Sequence, residues 1–325
     1  VVGSLFKPGS NYSSELPMVA PISLPEGQGI YSTIVGIFPS NIIQAMPENQ
    51  MIAIFFFSII FGLALNKTNH LTGNLSDSFS KLNTVFLQLI VMIMSFAPLG
   101  VFCLIGKFVV ADGLDIFQDV VAYVVLLITL LLFHAAFTYS FFLKAIAGLN
   151  PITFFKKMKD VALFAFSTSS SAATIPVTLK TANQDLGVNQ NVASFVVPVG
   201  ATINMDGTAI MQGLATVFIA QMSGIDLTLF QYMQVVLLAV ATSIGTAAVP
   251  SAGTITLIII LQQFNLPLEA IGIILAVDRV LDMIRTSVNV TGDAAIACIV
   301  AKTENQLDEN IFNSIHKNIN ELLNS

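Results

Sequence analysis

One apolar stretch near the end of the sequence carries charged and amide side chains at helical spacing. At about 100° per residue, these side chains fall within about 80° of one another on a helix. They are Asp278, Asp282, Arg285, Asn289 and Asp293. An ionised group at the centre of a bilayer costs roughly 2.5 to 3.5 kcal/mol, so such a face persists when it lines a protein cavity and has partners there. We interpret this face as a binding site for charged ligands.

The composition is that of a membrane protein. Of 325 residues, 55% are hydrophobic and 10% are charged, whereas about a quarter are charged in an ordinary soluble domain. The net charge is −6 and no run of Lys and Arg occurs, which argues against nucleic-acid binding. Cys103 and Cys298 stand singly in apolar runs and predict neither a disulfide nor a metal site. We predict a multi-pass, all-α protein of the cell membrane (inner or plasma membrane), surrounded by the lipid bilayer.

The two ends and the first half of the chain look unlike the region that carries the charges. Residues 1–30 are rich in Pro, Ser, Gly and Asn and predict an extramembrane loop. Apolar segments within 31–110 predict scaffold and oligomerisation helices. The segment from about 120 to 143 is almost uncharged, and its lone His134 is interpreted as a core histidine rather than a ligand. Residues 302–325 are polar and predict a cytoplasmic tail.

Two later segments share an unusual composition. Several Ser and Thr residues lie close to a proline within 154–181 and again within 230–262. Each apolar arm has about a dozen residues, too few to cross a bilayer. We therefore predict two re-entrant helical hairpins, the first broken at Pro176, whose tips must line protein or water. A helix with buried polar groups follows each hairpin, at about 190–219 and about 268–301, and together with a preceding helix these elements form a predicted transport domain at 111–301.

Flanking charges indicate how the hairpins are oriented. The first hairpin is entered from Lys156, Lys157 and Lys159, whereas Asp226 and Glu269 flank the second. By the positive-inside rule, the two hairpins enter the membrane from opposite sides. Opposite entry is what an inverted repeat requires, and paired interrupted segments point to a transporter whose site lies where the repeats meet.

Three ordered motifs resemble a known family. Ser169 to Pro176 reads SSSAATIP, Asn204 to Thr208 reads NMDGT, and Asp282 to Asp293 reads DMIRTSVNVTGD. These are similar to the signatures of the dicarboxylate/amino acid:cation symporter family, which includes glutamate and aspartate transporters. The resemblance implies a homotrimeric, elevator-type transporter and matches Leu5 to Gly9 with the end of a third helix, which places earlier helices outside this sequence. The family is itself a known example of inverted repeats, so the topology is not an independent prediction.

The resemblance implies sodium-coupled symport of L-aspartate or L-glutamate into the cell by alternating access. Arg285 would bind the side-chain carboxylate of the substrate, which suits a planar guanidinium. Asp282 and Thr286 would bind its ammonium group, and Asn289 its α-carboxylate. The substrate contacts implied by the resemblance are Ser169, Ser170, Ser171, Thr208, Val249, Gly253, Asp282, Arg285, Thr286 and Asn289.

The resemblance also implies that Na⁺ is co-transported and held by oxygen ligands, as a hard cation prefers. One implied set is the backbone of Gly200, Asn204 and Asn289 with the Asp293 carboxylate. A second is Thr202, Ser243, Ile244 and Thr246, and a third is Asp206 and Asn204 with residues of the third helix. Charge counting favours cation coupling without the family, because Asp206, Asp278, Asp282 and Asp293 outnumber Arg279 and Arg285.

The sequence departs from the family pattern at several positions. Archaeal members have an arginine at the position of Ser169 and mammalian members at that of Met283, and we consider Arg279 a substitute. Gln212 stands where proton-coupled members have a glutamate, so we predict that no proton is carried there. Ala248 replaces a glycine at the tip of the second hairpin.

Other interpretations remain open at this point. The charged face could be a structural ion-pair network, and the hydroxyls of the hairpins could serve helix packing. Within transporters, the alternative is a proton- or sodium-coupled symporter of C4-dicarboxylates, neutral amino acids or cystine. An intramembrane aspartyl protease would pair Asp206 with Asp282, but Val290 replaces a glycine of the protease motif and Arg285 would disturb a shared proton. We therefore predict that the chain is not an enzyme.

Overall fold

A computed structural model describes residues 2–9, 41–45, 51–73, 75–94, 116–246 and 248–314, with single positions between 96 and 110. Within these ranges every regular element is a helix, and an isolated β-bridge joins Val188 to Leu307. The all-α prediction is therefore confirmed. Of the predicted N-terminal loop, residues 2–9 are described and begin with a helix rather than a loop, and of the predicted tail, residues 302–314 are described.

The described part of the first half of the chain contains both short and long helices. They are α1 (Val2–Phe6), α2 (Ile42–Ala45), α3 (Met51–Thr72), α4 (Leu75–Met94), α5 (Ile116–Phe133), a π-helix (His134–Tyr139) and α6 (Ser140–Ala145). The stretch Gln118–Ala145, 28 residues long, is the one helix of the described part that is long and apolar enough to cross a membrane.

The second half contains the segments that the sequence singles out. Its helices are α7 (Pro151–Thr168), α8 (Ser171–Gln184), α9 (Gln190–Ile203), α10 (Asp206–Met222), α11 (Leu229–Ile244), α12 (Ala252–Gln263), a 3₁₀ turn (Leu268–Ala270), α13 (Ile271–Thr303) and α14 (Glu309–Asn313). The pairs α7–α8 and α11–α12 occupy the places of the two predicted hairpins, and α7 packs against α8. Re-entry into a membrane and an inverted repeat remain predictions.

Local chemistry sets where α7 begins. The Asn150 side chain accepts a hydrogen bond from the backbone N–H of Ile152, and Pro151 occupies the first helical position. An asparagine cap satisfies one of the free N–H groups of a helix start, and proline at this position has no N–H to lose. The sequence Asn150-Pro151 therefore defines this end of α7.

The described chain divides into two compact units. One comprises Val1–Val120, Thr216–Ala241 and Leu257–Ala276, and the other comprises Val121–Ala215, Thr242–Thr256 and Val277–Ser325. All of the side chains of the candidate site described below belong to the second unit. The predicted division into scaffold and transport domains remains a prediction.

The segment after α13 folds back onto the base of α7. Lys157 is buried, and its Nζ donates to the carbonyls of Asp185 (2.8 Å) and Ile311 (2.7 Å), while Phe312 is fully buried nearby. Lys157 is thus an internal side chain, unlike Lys156 and Lys159, which are exposed. Lys156 and Lys159 are therefore the two exposed lysines at the entry of the first predicted hairpin.

Candidate functional site

The predicted helix at 190–219 is interrupted, which corrects the sequence analysis. It ends at Ile203 and restarts at Asp206, because Asn204 has φ −100° and ψ 74°, outside the helical region. The start of α10 is stabilised by side chains, since the N–H of Gly207 donates to Asp206 Oδ1 (2.9 Å) and Asn289 Oδ1 (2.8 Å). At this break, the start of α10 is therefore hydrogen-bonded to Asn289 of α13.

The turn between α7 and α8, called here the first tip (169–170), is formed by serines rather than by Pro176. Ser169 adopts the left-handed conformation (φ 50°, ψ 29°), and the Ser170 hydroxyl accepts from the N–H of Ala173. Pro176 lies inside α8, so the predicted break at this proline is wrong. Ser169 is buried, and its Oγ has no hydrogen-bond partner within the described chain.

The loop between α11 and α12, called here the second tip (residues 245–246 and 248–251), approaches both the first tip and α13. The Ser170 hydroxyl donates to the Ala248 carbonyl (2.8 Å). The backbone N–H of Ser251, itself left-handed with φ 59°, donates to Asp282 Oδ2 (2.9 Å). One turn later, the hydroxyl of Thr254 donates to Asp278 Oδ1 (2.6 Å). The two tips and two carboxylates of α13 therefore form one hydrogen-bonded cluster.

Arg285 is the positive centre of this cluster. Its guanidinium is 2% exposed and forms an ion pair with Asp282, three residues earlier. Both Nη1 and Nη2 also lie 3.5 Å from Asp278 Oδ1. A buried charge persists only when it is paired and hydrogen-bonded. The guanidinium is balanced here by carboxylates of its own helix.

A small polar cavity lies between the tips and α13. Its volume is about 20 Å³, which is room for about one water molecule. Most of the predicted substrate contacts line it; Ser170 does not, and its hydroxyl donates to the second tip instead. The lining includes Ser169, Ser171, Thr208, Val249, Gly253, Asp282, Arg285, Thr286 and Asn289, with Met205, Thr246 and Ala248.

A second polar cluster surrounds Asp293. This carboxylate is 2% exposed, and its Oδ1 accepts from the Asn204 side-chain amide (3.0 Å). A Cβ atom at Gly200 would lie 2.6 Å from the same oxygen, so only glycine allows this approach. Gly200, Asn204 and Asp293, three of the four residues of the first predicted sodium set, are therefore neighbours.

His134 and Tyr139 contact Asp206, and the sequence analysis did not place either of them at the site. Oδ2 of Asp206 lies 2.7 Å from His134 Nε2 and accepts from the Tyr139 hydroxyl at 2.6 Å. His134 and Tyr139 are five residues apart, so they would face different sides of an α-helix, whereas a π-helix brings positions i and i+5 together. His134 is thus a hydrogen-bonded histidine, as the sequence analysis expected, but its partner Asp206 and the contribution of Tyr139 were not predicted. The available signal was the polar pair within an apolar run.

Gln212 is fully buried and fixes both ends of the second tip. Its Nε2 donates to the Gly253 carbonyl (3.0 Å) and the Thr256 hydroxyl (2.7 Å), and its Oε1 accepts from the Thr242 hydroxyl (2.9 Å). An amide supplies both donors and an acceptor. The neutral amide of Gln212 therefore makes all of these hydrogen bonds without taking up a proton.

The structure does not show the roles predicted for Arg279 and for the second sodium set. Arg279 is exposed, so it cannot substitute for a missing arginine at the cavity, where Asp278 and Asp282 are paired with Arg285. In the second predicted sodium set, the Thr202 hydroxyl donates to Val199 and Pro198 of its own helix. Ser243 and Thr246 are buried and Ile244 is exposed. Ion binding by this set remains a prediction.

Known proteins resemble this chain over most of its length. Residues 1–303 match the family described as the sodium:dicarboxylate symporter family. The chain is 40% identical to Excitatory amino acid transporter 2 of Homo sapiens over 253 residues, 77% of this chain and 44% of that protein. It is 35% identical to Excitatory amino acid transporter 3 of Mus musculus over 296 residues, 91% of this chain and 55% of that protein.

A further relative is Excitatory amino acid transporter of Caenorhabditis elegans, 37% identical over 253 residues, 77% of this chain and 50% of that protein. The chain thus spans about half the length of the curated relatives it matches. These relatives are membrane transporters and not enzymes. The family match covers nearly the whole chain, including the buried charged residues just described. The chain therefore belongs to the sodium:dicarboxylate symporter family.

Proposed function

We propose that the protein is a secondary active transporter that carries an acidic amino acid, L-aspartate or L-glutamate, into the cell together with Na⁺. The observation that carries this proposal is the buried Arg285 guanidinium, paired with Asp282 at a cavity walled by both tips. The family and the names of the relatives support the same substrate class.

The ion pair of Arg285 with Asp282 explains why the substrate would be an acidic amino acid. A substrate that brings a carboxylate to Arg285 and an ammonium group to Asp282 replaces one internal ion pair by two intermolecular ones. A C4-dicarboxylate would satisfy Arg285 but leave Asp282 buried without a cation, and a neutral amino acid would leave Arg285 unpaired. Both alternatives are therefore disfavoured by the charges of the site.

The size of the cavity implies that the tips move. A volume of about 20 Å³ is far too small for an amino acid, since ligand pockets usually enclose about 300 to 1,000 Å³. The Ser170–Ala248 hydrogen bond and the Ser251–Asp282 hydrogen bond would break when the second tip withdraws. We propose that the two helix pairs are re-entrant hairpins related by an inverted repeat and that the site opens in this way. An elevator-type movement would follow, in a homotrimer whose subunits each cross the plasma or inner membrane several times.

Sodium would balance the remaining charge. Asp278, Asp282 and Asp293 are buried carboxylates of α13, and an acidic substrate would add a further negative charge. The Asp293 carboxylate supplies oxygen ligands suited to a hard cation, and the side-chain NH2 group of Asn204 donates to it in this structure. We propose that Na⁺ binds there when the Asn204 amide turns its oxygen towards the ion.

Uptake into proteoliposomes of the full-length protein tests the proposal. An inward sodium gradient should drive aspartate or glutamate uptake, and replacing sodium by choline should abolish it. Arg285→Ala should lose acidic uptake, whereas Arg279→Ala, which changes the exposed arginine of the same helix, should retain it. Unchanged acidic uptake in Arg285→Ala would refute the proposed binding of the substrate carboxylate by Arg285, and preferred uptake of succinate or cystine would favour the alternative substrates.

A further inference from the structure

An apolar groove of about 440 Å³ opens on the second unit, away from the polar cavity. Its walls are one face of α7, one face of α13 and the junction of α5 with the π-helix. Phe155, Met158, Ala162, Phe166, Ile284 and Val288 supply much of the lining. Ser287 donates to the Ala162 carbonyl (2.8 Å) and Thr291 to the Ser287 carbonyl (2.7 Å), so these hydroxyls are already satisfied.

The shape of the groove suits an extended apolar chain. Its α7 wall runs from Phe155 to Phe166, a length of about 16 Å at 1.5 Å per residue. Alanines at 135 and 136, on the π-helix, and at 162, on α7, leave the space open. The groove does not suit an acidic amino acid, because apart from Lys159 its lining is apolar or already hydrogen-bonded and offers no carboxylate for an ammonium group.

The charges at the groove indicate which amphiphile it would take. Lys159 is exposed and is the one charged residue of the described lining. Lys156 on the same helix and Lys144 on α6 are exposed as well, whereas the neighbouring Asp160 does not line the groove. Lysines beside a membrane attract anionic lipid headgroups.

We propose that the groove binds one acyl chain of an anionic phospholipid, with the headgroup at Lys159. The bound chain would contact the α13 turn that contains Val288, whose carbonyl accepts from the Tyr139 hydroxyl (3.1 Å). The lipid would thus rest against the helical turns that hold Asp206. This inference concerns lipid binding and does not depend on which substrate is transported.

Native mass spectrometry of the full-length protein can test the proposal. The protein is released from nanodiscs that contain phosphatidylglycerol and phosphatidylcholine with identical acyl chains, and the retained lipids are counted. We expect phosphatidylglycerol to be retained preferentially. Lys159→Gln should lower this retention by about fivefold, the effect of one lysine at an anionic surface. Lys180→Gln, an exposed lysine outside the groove, should leave it unchanged.

Filling the groove gives an independent measurement. Ala162→Leu and Ala136→Leu place extra carbons in the cavity from different walls, and each should reduce retained phosphatidylglycerol while the sodium-dependent thermal stability shows that the variant is folded. Equal retention of both lipids, or unchanged retention in both leucine variants, would overturn the proposal. Competition by oleate that is as strong as that of phosphatidylglycerol would also overturn it, because the ligand would then be a fatty acid.

Discussion

Both terminal nitrogens of Arg285 lie 3.5 Å from Oδ1 of Asp278, seven residues earlier on α13. The same oxygen accepts the Thr254 hydroxyl of α12 at 2.6 Å. Asp278 therefore joins the guanidinium to the helix that follows the second tip. If a substrate ammonium binds Asp282 as we propose, Asp278 is the carboxylate beside Arg285 that still balances its charge.

Asp278→Asn should lower the free energy of unfolding of the substrate-free protein by about 1 to 3 kcal/mol, because one charged partner of a buried guanidinium is lost while Asp282 remains. Thermal unfolding in detergent measures the change. Arg279→Gln, at the adjacent exposed position, should stay within about 0.5 kcal/mol of the wild type. Equal stability of Asp278→Asn and the wild type would show that Asp278 does not support Arg285.

Asp293→Asn should weaken sodium binding by about tenfold or more, because a hard cation loses a carboxylate ligand. The amide oxygen can still accept from Asn204, so the fold should be retained. The sodium concentration that half-saturates thermal stabilisation is the quantity to measure. Asp226→Asn, at an exposed position, serves as the control, and an unaltered sodium titration in Asp293→Asn would count against this site.

Gly200→Ala should destabilise the protein and impair sodium binding, since its Cβ would lie 2.6 Å from Asp293 Oδ1. Gly213→Ala is the matched control, because no atom lies within 4 Å of its added Cβ. In a helix, that substitution should stabilise by about 0.5 to 1 kcal/mol. Thermal unfolding with and without sodium separates the two effects, and similar behaviour of the two variants would contradict the close contact.

Tyr139→Phe should destabilise the sodium-free protein by about 1 to 3 kcal/mol, because Asp206 loses a hydrogen-bond donor. If Asp206 also binds sodium, the ion no longer competes with the tyrosine hydroxyl, and stabilisation by sodium should increase. Tyr232→Phe, at a partly exposed position, should change neither quantity. A loss of stability with an unchanged sodium response would exclude Asp206 as an ion ligand.

Gln212→Glu should make sodium-driven uptake depend on pH. An ionised carboxylate cannot donate to the Gly253 carbonyl, whereas a protonated one can donate to either Gly253 or Thr256. Uptake by the variant should therefore fall as the pH rises, while wild-type uptake stays level over the same range. Gln263→Glu, at an exposed position of α12, controls for added charge. A flat profile in Gln212→Glu would refute the role of the amide.

Periodic features were predictable because they depend on spacing along one helix. The polar face of α13 is confirmed as buried, since Asp278, Asp282, Asn289 and Asp293 are each at most 4% exposed. The interruptions were harder to predict. The α9–α10 break depends on Asn289, 82 residues beyond Gly207, and the first tip turns at Ser169 rather than at the proline seven residues later.

The sequence by itself determined that charged groups at helical spacing lie within apolar helices, because burial cost and helical period follow from residue type and order. Three motifs in order also indicated the family. Only the tertiary structure decided the partners of these groups: Asp282 and Asp278 for Arg285, His134 and Tyr139 for Asp206, and Gly200 behind Asp293. Most of these contacts join helices that are distant in sequence. The contacts within α13 depend on the second tip and α12, which donate hydrogen bonds to Asp282 and Asp278. The spacing of residues along the chain could not specify either kind of contact.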